Sequence, residues 1–165
     1  MDRIAEAAEL SRATIYLHYK DKEEILEDII REYTPLAVDA LSRLPGPAPD
    51  VEAVSAWIRD LSGFVEKELI PLSIFEDVKH VLPEGVDKLI GSLTAAMGAN
   101  NPIFAAASKK TASPELRAKA LLLLTELTYT SRWYCESHDR EMAEALVVIT
   151  AKAFTQFLGN PQEYI

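Results

Sequence analysis

The sequence has few cations, a single cysteine and no long uninterrupted apolar run. It contains 26 acidic and 17 basic side chains, and the net charge of −9 excludes a protein that coats nucleic acid with a uniformly basic surface. Cys135 cannot form an internal disulfide, which is typical of a reducing cytoplasm. The longest uncharged run, residues 89–108, contains glycine, asparagine and proline and does not predict a membrane helix. The pattern of a secretion signal is not found either, so we expect a cytoplasmic protein with no membrane partner.

Composition and periodicity predict an all-α protein, either one compact domain or a small head joined to a larger body. Hydrophobic residues make up 48% of the sequence, which is ordinary for a globular protein. A chain of 165 residues can bury roughly 70% of its unfolded surface. No segment alternates as a strand does. We predict two short helices within residues 4–19, further helices at about 21–44, 50–70, 72–82, 85–97, 102–109 and 113–136, and a last helix that follows residue 139 and ends at about residue 158.

Side chains that cap helices support several of these boundaries. Ser11 is predicted to cap the second helix, and Asp21 with Glu24 forms a capping signature for the long third helix. Ser113 directly precedes Pro114, a combination that is typical of a helix start. Pro35 lies inside the long helix and should kink or split it, because proline lacks the N–H group that the helix needs.

Residues 4–26 are the most informative segment, because they indicate two short helices, a tight turn between them and a long helix after them. Ile4, Ala5 and Ala8 recur at helical spacing in the first helix. In the second helix, Ile15 and Tyr19 stand one turn apart on the predicted buried side. The outer face and first turn carry the side chains that a recognition helix presents to DNA, namely Arg12, Ala13, Thr14, Tyr16 and His18. The alternative is an ordinary helical hairpin with polar surface residues.

This segment resembles the helix-turn-helix of the TetR/AcrR (tetracycline repressor-like) family of bacterial transcriptional regulators. It matches the family's pattern at Ile4, Ala5, Ala8, Ser11, Thr14, Tyr16 and Lys22, with like-for-like replacements at Leu10, Tyr19 and Ile25. The resemblance implies that DNA is bound by Ser11, Arg12, Ala13, Thr14, Tyr16, His18, Tyr19 and Lys22. Arg12, Ala13 and Thr14 should face bases. Tyr16, His18 and Lys22 should meet phosphates.

The distribution of charge is compatible with this interpretation. Residues 1–22 hold four cations and four anions, so the whole net charge of −9 lies in residues 23–165. Because salt screens charges over about 10 Å, an acidic body need not prevent a distant neutral head from binding phosphates.

Two departures from the family's pattern have structural consequences. The family usually has glycine in the turn, where a positive φ is needed, and this chain has Glu9, at a cost of about 1 kcal/mol. The family also has a further helix before the motif, whereas only residues 1–3 precede Ile4. We therefore expect a native product longer by roughly twenty to thirty residues, which intact-mass measurement would test. Without that helix, Ile4, Ala8 and Ile15 should lack cover.

Two segments near the carboxyl end, residues 121–124 and 145–149, are apolar on every side of their helices. Such helices must be covered on both faces. They either form a two-fold dimer through a four-helix bundle or lie at the centre of a monomeric core. The resemblance implies a homodimer, and the predicted interface residues are Leu121, Leu124, Thr128, Met142, Leu146 and Ile149.

Aromatic side chains in the middle of the chain permit two interpretations. Each of them singly is explained by a place in the core. As a group they resemble the cavity that the family builds for an effector, which here would be a small hydrophobic or aromatic molecule. The predicted ligand-binding residues are Trp57, Leu61, Phe64, Phe75, Phe104, Tyr129 and Trp133.

Motifs for catalysis or metal binding are sparse. Cys135 and His138 have a ligand-like spacing but no second pair, which favours an incidental arrangement over a zinc site. The sequence has no glycine-rich phosphate loop, nucleophile elbow or His-Glu-x-x-His pattern. We therefore expect neither an enzyme nor a cofactor.

These patterns and the resemblance predict a ligand-responsive transcriptional repressor, a homodimer that a small hydrophobic effector releases from its operator. Residues 1–44 would form the helix-turn-helix head and its connecting helix, and residues 45–165 the ligand-binding and dimerisation body. The alternative is a dimerising small-molecule-binding module that binds no operator because its amino-terminal helix is missing.

Overall fold

A computed structural model describes residues 1–67 and 83–160 of the chain, with side chains from residue 88 onward in the second range. All regular structure in these ranges is helical, so the all-α prediction is confirmed for them. The helices are α1 (Asp2–Ala7), α2 (Arg12–His18), α3 (Lys22–Ser42), α4 (Val51–Lys67), α5 (Pro83–Met97), α6 (Pro102–Ala107), α7 (Pro114–Glu136) and α8 (Arg140–Gly159). The helix predicted at 72–82 and the end of the one predicted at 50–70 lie outside the described residues.

The predicted caps at the start of α2 and α3 are confirmed. The Thr14 N–H donates to Ser11 Oγ at 3.0 Å, which satisfies a donor that the first turn of α2 leaves free. At the start of α3, the Glu24 N–H donates to Asp21 Oδ1 at 3.0 Å. The Glu24 carboxylate in turn accepts from the Lys20 N–H at 2.8 Å. Local hydrogen bonds between side-chain oxygens and backbone N–H groups thus mark where α2 and α3 begin.

Pro35 does not split the long helix, so that part of the prediction is wrong, whereas the kink stays a prediction. Helix α3 runs without a break from Lys22 to Ser42, with Pro35 inside it. Tyr33 and Leu36, on either side of the proline, pack against the core. This packing outweighs the hydrogen bond that proline removes, because most helical stability in a protein comes from the buried face.

The core lies where α4, α7 and α8 pack on one another and α6 closes one end. Phe104 of α6 and the α8 residues Phe154 and Phe157 are completely buried, with Phe104 ring centroids 5.9 and 5.1 Å from the other two. Helices α7 and α8 are also joined by a 2.7 Å hydrogen bond between the buried hydroxyls of Thr130 and Thr150. This bond satisfies both polar groups and fixes the register of the two helices.

The carboxyl end of α3 is tied to the body. The Trp57 indole N–H donates to the Ala40 carbonyl at 3.3 Å. The Asn100 side chain, in the turn between α5 and α6, donates to the Ser42 carbonyl at 2.9 Å. Leu44, directly after the helix, is fully buried. This end of α3 is therefore anchored, while its amino end follows directly after α2.

Candidate functional site

Helix α2 buries one side and exposes the side that carries the predicted DNA-binding residues. Ile15 is only 6% exposed, whereas Tyr16 is 49% exposed. Ser11, Arg12, Ala13, His18 and Lys22 are also exposed, and Thr14 is half-buried. A short helix with one apolar contact and an outward row of Arg, Tyr and His has the form of an element that enters a DNA groove.

Ser11 and Thr14 form a local polar unit at the start of α2. The Thr14 N–H donates to Ser11 Oγ, and the hydroxyl oxygens of the two side chains also lie within hydrogen-bond distance, 2.7 Å apart. The amino end of a helix has free N–H groups and a partial positive charge, which favour a nearby phosphate. The cap therefore orders the end of α2 that also carries Arg12.

The turn between α1 and α2 has the strained backbone that its sequence predicts. Glu9 has a φ of 55°, the only positive φ of a non-glycine residue among those described. The Leu10 N–H donates to the Ala5 carbonyl at 2.9 Å across this turn. The predicted positive φ is confirmed, and the bond across the turn holds it.

Tyr19 turns toward α3. It is half-buried, and a hydrogen bond with the Asp28 carboxylate raises the pKa of the Tyr19 phenol. The charges of Asp28 and Glu24 act in the same direction. Tyr19 therefore links the end of α2 to α3. This position agrees with the prediction that Tyr19 lies on the buried side of α2, away from the outward residues of that helix.

One apolar side of the head has little cover. Leu17 is 82% exposed, Leu10 51% and Ile4 36%. Ile4 and Ala8 border a shallow surface depression. The expectation that Ile15 would also lack cover is wrong, because α1 and α2 pack on each other and bury it.

A small cavity of about 50 Å³ lies inside the body. Four helices supply its described wall: α3, α4, α5 and α7. Most of the lining residues are apolar, and Thr128 and Ser131 are the polar ones among those described. The lining residues are Ala37, Ala40, Leu41, Leu61, Phe64, Val65, Leu93, Leu124, Leu127, Thr128 and Ser131.

Of the predicted ligand-binding residues that the structure describes, two, Leu61 and Phe64, line this cavity. Trp57 and Phe104 lie in the core, where Trp57 packs edge-on against Phe154 at 5.7 Å and Phe104 packs between α8 aromatics. Phe75 lies outside the described residues.

Tyr129 and Trp133 are not brought to the cavity. They lie on an outer side of α7, where the Trp133 indole donates to the Tyr129 hydroxyl at 2.8 Å. Together with Arg132 they border an open surface groove.

The sequence analysis missed Ser131 and the α3 residues of the wall. Leu124, Thr128 and Ser131 follow one another at spacings of four and three residues, so they share one face of α7. That spacing was available in the sequence. Aromatic content does not mark such a face, because its members are aliphatic or carry small hydroxyl groups.

Helices α7 and α8 present exposed apolar side chains on the outside of the body. Ile149 is 63% exposed, Leu122 59%, Met142 48% and Leu121 37%. Leu146 is half-buried. Leu124 and Thr128 line the inner cavity instead, so they do not belong to this outer surface. Helix α8 is also long and apolar enough to cross a membrane, a property shared by core helices of soluble proteins, and it packs on α4 and α7.

Cys135 makes a structural contact. Its thiol donates to the Ser62 carbonyl at 3.3 Å, from α7 to α4. Burial and the nearby charges of Glu66 and Glu136 raise the pKa of the Cys135 thiol, which disfavours the reactive thiolate.

In the described part of the chain, His, Cys, Asp and Glu side chains form no cluster of three or more that could hold a metal ion.

Comparison with known proteins identifies the head. Residues 1–29 match the family model of bacterial regulatory proteins of the tetR family. The matched range covers α1, α2 and the first part of α3, the segment that carries the exposed Arg12, Tyr16 and Lys22. No curated protein and no solved structure is significantly similar to the chain.

Proposed function

We propose that this chain, whose residues 1–29 match the family model of bacterial regulatory proteins of the tetR family, belongs to that family and is a homodimeric transcriptional repressor that a small apolar effector releases from its operator. The observation that carries the proposal is the exposed outer side of α2, with Arg12, Ala13 and Tyr16, inside the range that matches the family. We propose no catalytic activity, no cofactor and no membrane partner, and a site of action in the cytoplasm.

In this proposal α2 enters the major groove of double-stranded DNA. Arg12, Ala13 and Thr14, in its first turn, reach base edges and set the sequence preference. Tyr16, His18 and Lys22 contact phosphates and set the position of the helix. Tyr19 supports the arrangement from behind through Asp28, so we leave it out of the contact surface.

A homodimer follows from the outer apolar surface of α7 and α8. Four large apolar side chains are exposed on the two helices, namely Leu121 and Leu122 of α7 and Met142 and Ile149 of α8. Pairing this surface with the same surface of a second copy would form a four-helix bundle and remove the apolar side chains from water. Two recognition helices would then read half-sites about 34–36 Å apart, one turn of DNA.

The cavity provides a physical route from effector to DNA. Ala37, Ala40 and Leu41 of α3 form part of its wall. The cavity of about 50 Å³ is far smaller than the roughly 150 Å³ that holds benzene, so an effector must push the walls apart. Because the carboxyl end of α3 is tied to the body through Ser42, the displacement should appear at its amino end, next to α2.

The direction of the effect depends on differential affinity. An effector shifts the equilibrium only if it binds the expanded state better than the compact one. The compact cavity is too small for the effector, so the effector binds the expanded state. Release from DNA follows if the expanded state misplaces the two copies of α2.

Selection from a pool of random DNA duplexes tests the proposal. The wild-type protein should enrich a two-fold symmetric sequence, and Tyr16→Ala should weaken binding to it about tenfold, the loss expected for a hydrogen bond to a charged phosphate. The matched control is Leu17→Ala, which removes a large exposed side chain from the same helix. Failure to enrich any sequence, or equal losses in the two variants, would contradict DNA reading by α2.

A second candidate function is favoured by the exposed apolar side of the head. Ile4, Leu10 and Leu17 are poorly covered, so the head could be too weakly held to read DNA. The chain would then be a dimerising module that binds a small molecule without binding an operator. A dimer that binds small apolar molecules but selects no DNA sequence would support this candidate.

A further inference from the structure

The wall of the cavity contains a buried hydroxyl without a hydrogen-bond partner. Ser131 is 2% exposed and lines the cavity with the α7 residues Leu124, Leu127 and Thr128. Its Oγ makes no hydrogen bond with the described part of the chain. A buried polar group without a partner is unfavourable, and a ligand that supplies the missing partner removes this cost.

Other hydroxyls in these helices donate a hydrogen bond to the carbonyl four residues earlier, whereas that of Ser131 does not. Thr128 donates to the Leu124 carbonyl and Thr125 to the Leu121 carbonyl, each four residues earlier. Ser62 in α4 makes the same kind of bond to Ile58. Ser131 makes no such bond to the carbonyl four residues before it. Ser55 is another buried serine without a partner among the described residues, but it does not line the cavity.

We propose that the Ser131 hydroxyl is the polar recognition point of the effector site, and that the effector is a small uncharged molecule with an apolar body and one oxygen that accepts its hydrogen bond. A ketone or an ester has this chemistry. The proposal rests on the proposed function, because it takes the cavity to be the effector site.

The rest of the described wall explains why the class is uncharged and why one hydrogen-bond acceptor suffices. No acidic or basic side chain belongs to that wall, so an ionic group would be buried without an opposite charge. The second hydroxyl, that of Thr128, already donates its proton to Leu124. Ser131 is thus the wall's available donor within the described residues.

A matched pair of probes tests this assignment. Cyclopentanone and methylenecyclopentane have nearly the same shape, but only the ketone accepts a hydrogen bond. Ser131→Ala should weaken cyclopentanone binding roughly fivefold and leave methylenecyclopentane binding unchanged or slightly tighter, by the usual net strength of one hydrogen bond. Thr128→Val, which changes the neighbouring hydroxyl at nearly constant shape, should leave the ratio of the two affinities unchanged. Isothermal titration measures both affinities for each variant.

A spectroscopic measurement on the wild-type protein covers the case in which Ser131→Ala does not fold. The carbonyl stretching frequency of bound cyclopentanone should be lower than in an apolar solvent, because a donated hydrogen bond weakens the C=O bond. A frequency equal to that in the apolar solvent would overturn the role of Ser131. An unchanged affinity ratio in a folded Ser131→Ala variant would do the same.

Charged analogues separate the remaining outcomes. Cyclopentylammonium and cyclopentanecarboxylate should not displace cyclopentanone. If either charged molecule displaces bound cyclopentanone at a lower concentration than added cyclopentanone does, the assignment to an uncharged effector is wrong, although the cavity still binds ligands. If neither neutral probe binds to the wild-type protein, the cavity is not the effector site, and the corresponding part of the proposed function fails as well.

Discussion

The guanidinium of Arg12 lies 2.7 Å from the carboxylate of Asp2, in an ion pair between α2 and α1. Both side chains are mostly exposed, at 62% and 68%, so the pair contributes little to stability. Its importance is positional. The pair orients an arginine at the start of α2, and it also puts a negative charge beside the surface proposed to meet phosphates.

Replacing Asp2 should strengthen binding to DNA. Asp2→Asn removes an anion near the phosphates and frees Arg12, so affinity for a random-sequence duplex at low salt should rise by roughly two- to fivefold. Fluorescence anisotropy of a labelled duplex measures the change. The matched control is Asp60→Asn, the same loss of charge at an exposed position of α4 in the body. An equal gain in both variants would mean that only net charge matters.

Replacing Glu9 by glycine should stabilise the head. Glycine adopts the φ of 55° without a steric penalty, so local opening of α1 and α2 should become roughly two- to fivefold rarer. Amide hydrogen exchange in α1 and α2 reports this directly. Glu9→Gln serves as the control, because it removes the charge and keeps the strained side chain. If the glutamine variant slows exchange as much, the effect belongs to the charge and not to the backbone.

A carboxylate at position 149 should separate the proposed dimer. Ile149 is exposed on α8 within the outer apolar surface, and Ile149→Asp would bury an unpaired charge in the bundle. The dimer dissociation constant should rise by about 100-fold or more. Sedimentation or light scattering over a concentration series measures it. Ala95→Asp, at an exposed position of α5, should leave the dimer intact. A wild-type protein that is monomeric throughout would remove the basis of the two-fold arrangement.

Cys135 should react slowly with thiol reagents. Burial, followed by the charges of Glu66 and Glu136, raises the pKa of the Cys135 thiol, so less thiolate exists at a given pH than in an unfolded chain. The rate of modification near pH 8 should be lower in the folded protein and should climb as the pH rises further. Glu66→Gln should speed the reaction by lowering the pKa. Equal rates for folded and urea-unfolded protein would show that the thiol is not protected.

Local chemistry made much of the secondary structure predictable. The starts of α2 and α3 depend on Ser11 and Asp21 with neighbours three residues away, and such contacts can be recognised in a sequence. The strain at Glu9 was predictable for the same reason, since a turn of two helices needs a positive φ at that position. Pro35 was the exception. Proline removes one backbone hydrogen bond from the helix, but packing of Tyr33 and Leu36 on the core keeps α3 continuous.

The candidate cavity was less accessible to sequence reasoning. Helical spacing shows which residues share a face of one helix, but not which faces of different helices meet. Leu61 and Phe64 line the cavity, whereas Tyr129 and Trp133, which were predicted to bind the same ligand, lie on an outer side of α7. Ser131 shares a face with Leu124, yet only the approach of α3 and α4 makes that face a wall.

The sequence by itself determined the helical composition and most helix boundaries, because these are encoded in contacts between residues a few positions apart, and its first 29 residues carry the match to the family model. The tertiary structure alone decided which residues line the cavity, which apolar residues remain outside the core and which end of α3 is tied to the body. Those features arise from contacts between distant residues such as Asn100 and Ser42, and such contacts exist only once the helices have packed.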